Sequence, residues 1–142
     1  MSEQNFKNHI RLVPGYHYVL YTLLLAVLVG SIVNVINSGH ENLYSASLLV
    51  VLTFAVTLLA FYARYFALKA QDKAIRAEEN FRHFILTGKP LNKELRMSQV
   101  VALRFASDAE LPALAERAVN EKLSQKDIKA AIQNWKADYN RV

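Results

Sequence analysis

YVLYTLLLAVLVGSIVNVINSG, residues 18–39, and LYSASLLVVLTFAVTLLAFYA, residues 43–63, carry no charged side chain and no histidine. They run for 22 and 21 residues, against the roughly 20 that cross a hydrocarbon core as a helix. A short polar turn around Gly39, His40, Glu41 and Asn42 joins them, so the pair reads as a helical hairpin in a membrane. The rest of the 142 residues is ordinary in charge: 17 Lys+Arg stand against 12 Asp+Glu, and the 53% hydrophobic content is concentrated in the two runs. That distribution excludes a soluble enzyme and a disordered tail, and the absence of cysteine excludes a disulfide scaffold.

Charge sets the expected orientation. Lys7 and Arg11 precede the first run, the turn between the runs has neither Lys nor Arg, and Arg64, Lys69, Lys73, Arg76 and Arg82 follow the second. Basic flanks stay in the cytoplasm, so both termini are expected inside. Tyr16, Tyr18 and Tyr21 open the first run, and Phe61, Tyr62, Tyr65 and Phe66 close the second. Both groups then fall at the inner interface, where aromatic belts lie. The first run is too long for a signal-peptide core and no A-x-A-like cleavage site follows it, which makes it an uncleaved anchor. Ahead of it, residues 1–15 read as an interfacial segment: Phe6 and Ile10 share a helical face beside Lys7 and Arg11, and Pro14-Gly15 bends into the span.

No Gly or Pro occurs between Gly39 and Gly88, so the second span is expected to continue as one helix from about Tyr44 to Thr87. Gly88 suits the left-handed position after a helix, with Pro90 shortly beyond. Asp72–Arg76 and Glu78–Arg82 are expected as i,i+4 pairs. Along this helix Ala60, Ala63, Ala67, Ala70, Ala74, Ala77, Phe81 and Phe84 alternate at spacings of three and four. This is a heptad seam, and small residues at such spacing allow close helix approach. Leu68 and Ile75 lie just off it.

Residues 88–142 read as a small cytoplasmic module of three helices. The first is expected over about 93–106. The second opens on the S-x-x-E box Ser107-Asp108-Ala109-Glu110, and the third on Ser124-Gln125-Lys126-Asp127. The third carries Ile128, Ile132, Trp135 and Tyr139 on one face. The fold class is therefore an all-α membrane protein: an N-terminal segment (1–15), a transmembrane hairpin whose second helix extends into the cytoplasm (16–87), and the module (88–142).

Asn5-Phe6-Lys7-Asn8-His9, Val13-Pro14-Gly15-Tyr16-His17, the run from Leu103-Arg104-Phe105 through Glu110-Leu111-Pro112, Ile128-Lys129 and Trp135-Lys136-Ala137-Asp138 carry a family resemblance. The chain resembles an uncharacterised family of small two-span membrane proteins from Bacteroidota and related bacteria. The resemblance spans nearly the whole chain. It implies a bacterial inner membrane and the same two-span layout, and it supplies no activity, cofactor or catalytic residue.

Chemistry-bearing patterns are sparse. No two of His9, His17, His40 and His83 are three or four residues apart, there is no cysteine nucleophile and no G-x-S-x-G, and the four glycines form no phosphate loop. No catalytic residue, cofactor or metal is expected. Ser31, Asn34, Asn37, Thr53 and Thr57 place polar groups within the spans. They are expected to bond between helices or, if hairpins form a ring, to line a pore. The basic excess sits in residues 64–104, with nine Lys+Arg and four acids, whereas residues 105–142 hold six of each. Arg64, Lys69, Lys73 and Arg76 are thus expected to meet anionic lipid headgroups, and nucleic acid is not expected as a partner. The reading is a non-enzymatic inner-membrane scaffold or accessory subunit, a homo-oligomer or part of a larger membrane complex, that docks a partner through its module. The alternative is a homo-oligomeric ring conducting an ion or small solute.

Overall fold

The structure, a computed structural model, describes Asn5 and residues 12–138. The interfacial face of Phe6 and Ile10 and the position of Tyr139 lie outside the described residues. A π-helical turn (Gly15–Leu20) leads into α1 (Tyr21–Asn37); α2 (Leu43–Thr87), α3 (Met97–Leu103), α4 (Leu111–Asn120) and α5 (Gln125–Ala131) follow. Among the described residues there is no strand, only an isolated bridge between Ala106 and Trp135. Two compact units divide the chain, residues 12–67 and the described residues from Leu68 onward.

In the first unit, Pro14 takes helical angles and caps the opening turn. A proline lacks the N–H that a first helical turn leaves unpaired, so it fits there. The Val13 N–H donates to His17 Nδ1 at 3.1 Å. Gly15–Asn37 and Leu43–Thr87 are long and apolar enough to cross a membrane, and only 6% and 17% of their apolar windows are buried within the chain. The core helix of a soluble protein would be mostly covered. Here Leu23, Leu25, Val51, Leu52 and Leu59 are all exposed, outward-facing side chains that suit hydrocarbon.

The inner face of α1 is mainly branched apolar with one serine, and that of α2 is mainly small or polar. On α1 it runs through Leu24, Leu28, Ser31 and Val35, and on α2 through Ala46, Val50, Thr53, Thr57, Ala60 and Ala67. Both follow the 4,3 spacing of a heptad stripe. Ala46, Ser31 and Thr53 are the most covered. The Tyr16 hydroxyl donates across the pair to the Ala60 carbonyl.

In the second unit, α2 ends where expected. Gly88 has φ +71°, and its N–H donates to the Phe84 carbonyl at 2.8 Å. A β-carbon makes this left-handed conformation costly. Leu91, Leu95, Val100, Leu103, Leu111, Leu114 and Ile128 then close around Ile75 of α2. Each such side chain contributes roughly 1.5–3 kcal/mol on full burial. A module of this size is marginal alone, and Ile75 from the long helix enlarges its core.

Three boundaries differ from the sequence expectation. The first module helix is confined to Met97–Leu103 because Asn92 folds the preceding residues into a turn, its Oδ1 accepting from the Glu94 N–H at 2.9 Å. The second begins at Leu111, not after Ser107. A start at Ser107 would put the Pro112 ring against the Asp108 carbonyl inside the helix; starting at Leu111 places Pro112 in the first turn. The third ends at Ala131, so Ile132 and Trp135 leave the helix. The Glu110 carboxylate, freed from any capping role, accepts from the Asn134 N–H and Nδ2 at 2.9 and 2.8 Å and holds the chain in a bend. The Ser124–Asp127 box forms as expected, and the Ser124 hydroxyl keeps the Asp127 carboxyl below its usual range.

Candidate functional site

The part of α2 in the second unit presents differently built faces. The covered one carries Ile75, Glu79 and Arg82. Arg82 is the centre of a polar junction: Nη1 meets Glu79 Oε2 at 2.9 Å, Nε meets Asp108 Oδ1 at 2.6 Å, and Nη2 donates to the Ala106 carbonyl at 2.7 Å. Glu79 is only 3% exposed, and a carboxylate so placed needs this partner, because an unpaired buried charge is strongly destabilising. The expected Glu78–Arg82 and Asp72–Arg76 pairs are replaced. Arg82 reaches Glu79 and the 106–108 turn, and Arg76 Nη2 donates to the Leu95 carbonyl at 3.0 Å. Tertiary acceptors at fixed positions outcompete the i,i+4 carboxylates, whose surface pairs contribute little.

Beside this junction the chain after α5 returns along residues 104–106. Lys136 N–H donates to the Phe105 carbonyl at 2.7 Å, and Arg104 pairs with Asp138 at 3.2 Å. Phe105 stacks on Trp135 at 4.6 Å with Arg104 over its ring at 4.7 Å. A cavity of about 400 Å³ opens here, lined by Gln71, Glu78, Glu79, Arg104, Lys136 and Asp138 among others. Its charges are of both signs, with Arg104 and Asp138 paired to each other and Glu79 to Arg82. Deeper in the module Gln99 is buried and donates through Nε2 to the Ala118 and Leu123 carbonyls, both at 2.9 Å. Glu79 and Gln99 were not singled out by sequence reasoning, and Arg82 was placed in a different pair, with Glu78. The available signal was the series Gln71, Ile75, Glu79, Arg82, a second stripe beside the alanines.

The alanine seam is divided. Ala60 and Ala67 are half-buried on the hairpin face, whereas Ala63, Ala70, Ala74 and Ala77 are exposed, as are Phe81 at 65% and Phe84 at 51%. The polar residues of the two apolar helices are divided as well. Ser31, Thr53 and Thr57 lie on the inner faces, but their hydroxyls bond back to Leu28, Leu49 and Thr53 carbonyls of their own helices at 2.7–2.9 Å. A hydroxyl three or four residues past a carbonyl reaches it with no interhelical partner, so these contacts are local and not the expected bonds between helices. Asn34 and Asn37 face outward, Asn37 donating to the Val33 carbonyl. Arg64 is half-buried, while Lys69, Lys73 and Arg76 are exposed. Among the described residues no cluster of His, Cys, Asp or Glu is placed to hold a metal ion.

A family model described as a family of unknown function, DUF6526, matches residues 1–142. The chain belongs to the DUF6526 family. No curated protein and no solved structure matches it. The architecture of this DUF6526 chain, two apolar helices and a helical module carried on the second, therefore rests on its own sequence and structure.

Proposed function

We propose that the chain is a non-enzymatic scaffold or accessory subunit of a bacterial inner membrane, with two spans and both termini in the cytoplasm, that pairs with a second copy along α2. One observation carries the reading: Ala70, Ala74, Ala77, Phe81 and Phe84 form a continuous small-and-aromatic stripe that no other described part of the chain covers. A helix face of this kind outside a bilayer is normally covered by another helix. Charge favours a parallel copy. With Ala74 and Ala77 at the a and d positions, Lys73 and Glu78 occupy g and the following e, where parallel helices form cross pairs. The module's docking of a further protein follows from its place on the same helix. Outward-facing Asn34 favours the second reading, a ring of hairpins with a polar lumen.

The chain has no cysteine, so one introduced thiol reports one contact. Ala77→Cys in native membranes is expected to give a disulfide-linked dimer, and Ala130→Cys, exposed on α5, is not. Adding Ala74→Glu should suppress the Ala77→Cys dimer at least about tenfold, equivalent to about 1.4 kcal/mol. Equal cross-linking at both positions, or none at Ala77→Cys, overturns the paired-helix reading.

A further inference from the structure

We infer that the groove between α2 and the segment from Pro90 to Met97 is a discrete binding site for the phosphate of an anionic phospholipid. The site is lined by Lys69, Lys73, Arg76 and Lys93, with Asp72 as the one acid, and it encloses about 690 Å³. That volume lies within the roughly 300–1,000 Å³ of small-ligand sites. Four cations against one acid leave a local excess of three, and the cations come from both walls, three from α2 and Lys93 from the opposite segment.

The walls are tied at fixed separation. Arg76 Nη2 donates to the Leu95 carbonyl at 3.0 Å, and the Leu91 N–H donates to Asn80 Oδ1 at 2.9 Å. Both bonds join α2 to the segment that carries Lys93, so the cations converge on a prebuilt space instead of waving from one helix face. The tie also holds the Arg76 guanidinium at the wall, where its planar fork suits a phosphate.

The lining is not only cationic. Ala77, Pro90, Leu91 and Met97 supply an apolar surface beside the charges. A free phosphate is fully hydrated and gains nothing from that surface, whereas a lipid headgroup brings glycerol and the start of an acyl chain. In sequence Lys69 follows Phe66, last of the inner aromatic group, by three residues, and interfacial aromatics mark headgroup level. Basic pockets beside membrane-spanning helices on the cytoplasmic side are a physically favoured place for lipid phosphate. This site deepens the membrane placement above but does not depend on helix pairing.

The test is native mass spectrometry of the full chain released from nanodiscs, counting bound phosphatidylglycerol and phosphatidylcholine. Phosphatidylglycerol retained at one per chain over phosphatidylcholine is the expected result. Lys93→Gln should lower that retention about fivefold, the effect of one cation near an anionic surface. Lys126→Gln, the same change on exposed α5, should leave it unaltered. A free-source arm adds glycerol 3-phosphate or inorganic phosphate at millimolar concentration. Displacement of the lipid by inorganic phosphate alone would show a simple anion site and overturn the lipid assignment. Equal losses for Lys93→Gln and Lys126→Gln would show diffuse attraction and overturn the site. Neither result touches the Ala77→Cys cross-link, so the two readings fail separately.

Discussion

Gln99→Leu should unfold the module selectively, because Gln99 is the polar knot inside an otherwise apolar core. The side chain is 3% exposed. Its Nε2 donates to two carbonyls, Ala118 and Leu123, and its Oε1 accepts from the Arg96 N–H at 2.9 Å. Leucine has nearly the same volume and a good helix propensity, so packing and helix formation are preserved while three hydrogen bonds disappear. Each contributes about 0.5–1.5 kcal/mol net, and a buried carbonyl left without a partner costs about 1–3 kcal/mol. The Leu123 carbonyl keeps Arg96 Nη2 at 3.3 Å, the Ala118 carbonyl keeps the Leu123 N–H at 3.2 Å, and the Arg96 N–H sits at a helix start within reach of water. No group is therefore orphaned, and the loss is that of the three bonds at about 1 kcal/mol each. The sum is about 3 kcal/mol, or roughly a hundredfold in an opening equilibrium. Hydrogen exchange on the full chain in nanodiscs measures this directly: α4 amides should lose about a hundredfold in protection while α1 amides, in the other unit, keep theirs. Gln133→Leu, exposed after α5, is the matched control. Protection in α4 within threefold of the parent would refute the reasoning.

Two further outcomes follow from the same unit. Phe105→Leu removes the ring stacked between Trp135 and the Arg104 guanidinium, a loss of about 2 kcal/mol from packing and ring interactions; Trp135, the single tryptophan, should shift its emission to longer wavelength. Gly88→Ala meets open space, with nothing within 4 Å of an added β-carbon, but φ is +71°; a loss of about 1–2 kcal/mol in thermal stability is expected, and Gly88→Asn, which tolerates this region, should lose less.

Periodicity made the long helix and its end legible, since an unbroken stretch closing on Gly88 leaves little choice of conformation. It also made the stripes of α2 legible without saying which would be covered. Ala60 and Ala67 belong to two overlapping series, one through Ala63 and Ala70 and the other through Arg64 and Gln71. Only the positions of the module and of α1 decide between them. The Ser107 box was misleading for a different reason. Four residues carried a valid capping pattern, but the ring of Pro112 vetoed the helix that the pattern would have started. The tertiary contacts of Arg82 and Gln99 were illegible because their acceptors, at Ala106 and Asp108 and at Ala118 and Leu123, lie 19 to 26 residues away and leave no periodic trace. The stripe that carries Glu79 was periodic, but only the module decides that it is covered.

The faces of α2 explain why one helix can serve several contacts at once. At 100° per residue, the stripe of Ile75, Glu79 and Arg82 is centred roughly 140° from the stripe of Ala70, Ala74, Ala77 and Phe81. The cations Lys69, Lys73 and Arg76 occupy the sector between them on the remaining side. The module fills the first sector through the Arg82 junction and the Ile75 contact. A second copy on the alanine stripe would therefore approach without displacing the module, because close approach needs only that sector to be small. Large or charged residues there would keep a partner away; instead the bulk is confined to Phe81 and Phe84, where the stripe widens. The phosphate groove would stay open in such a pair, since Lys93 stands on the far wall from the seam. Assembly and lipid capture would then share only Lys73 and Ala77, while Lys93 and Arg76 belong to the groove alone and Phe81 and Phe84 to the seam alone.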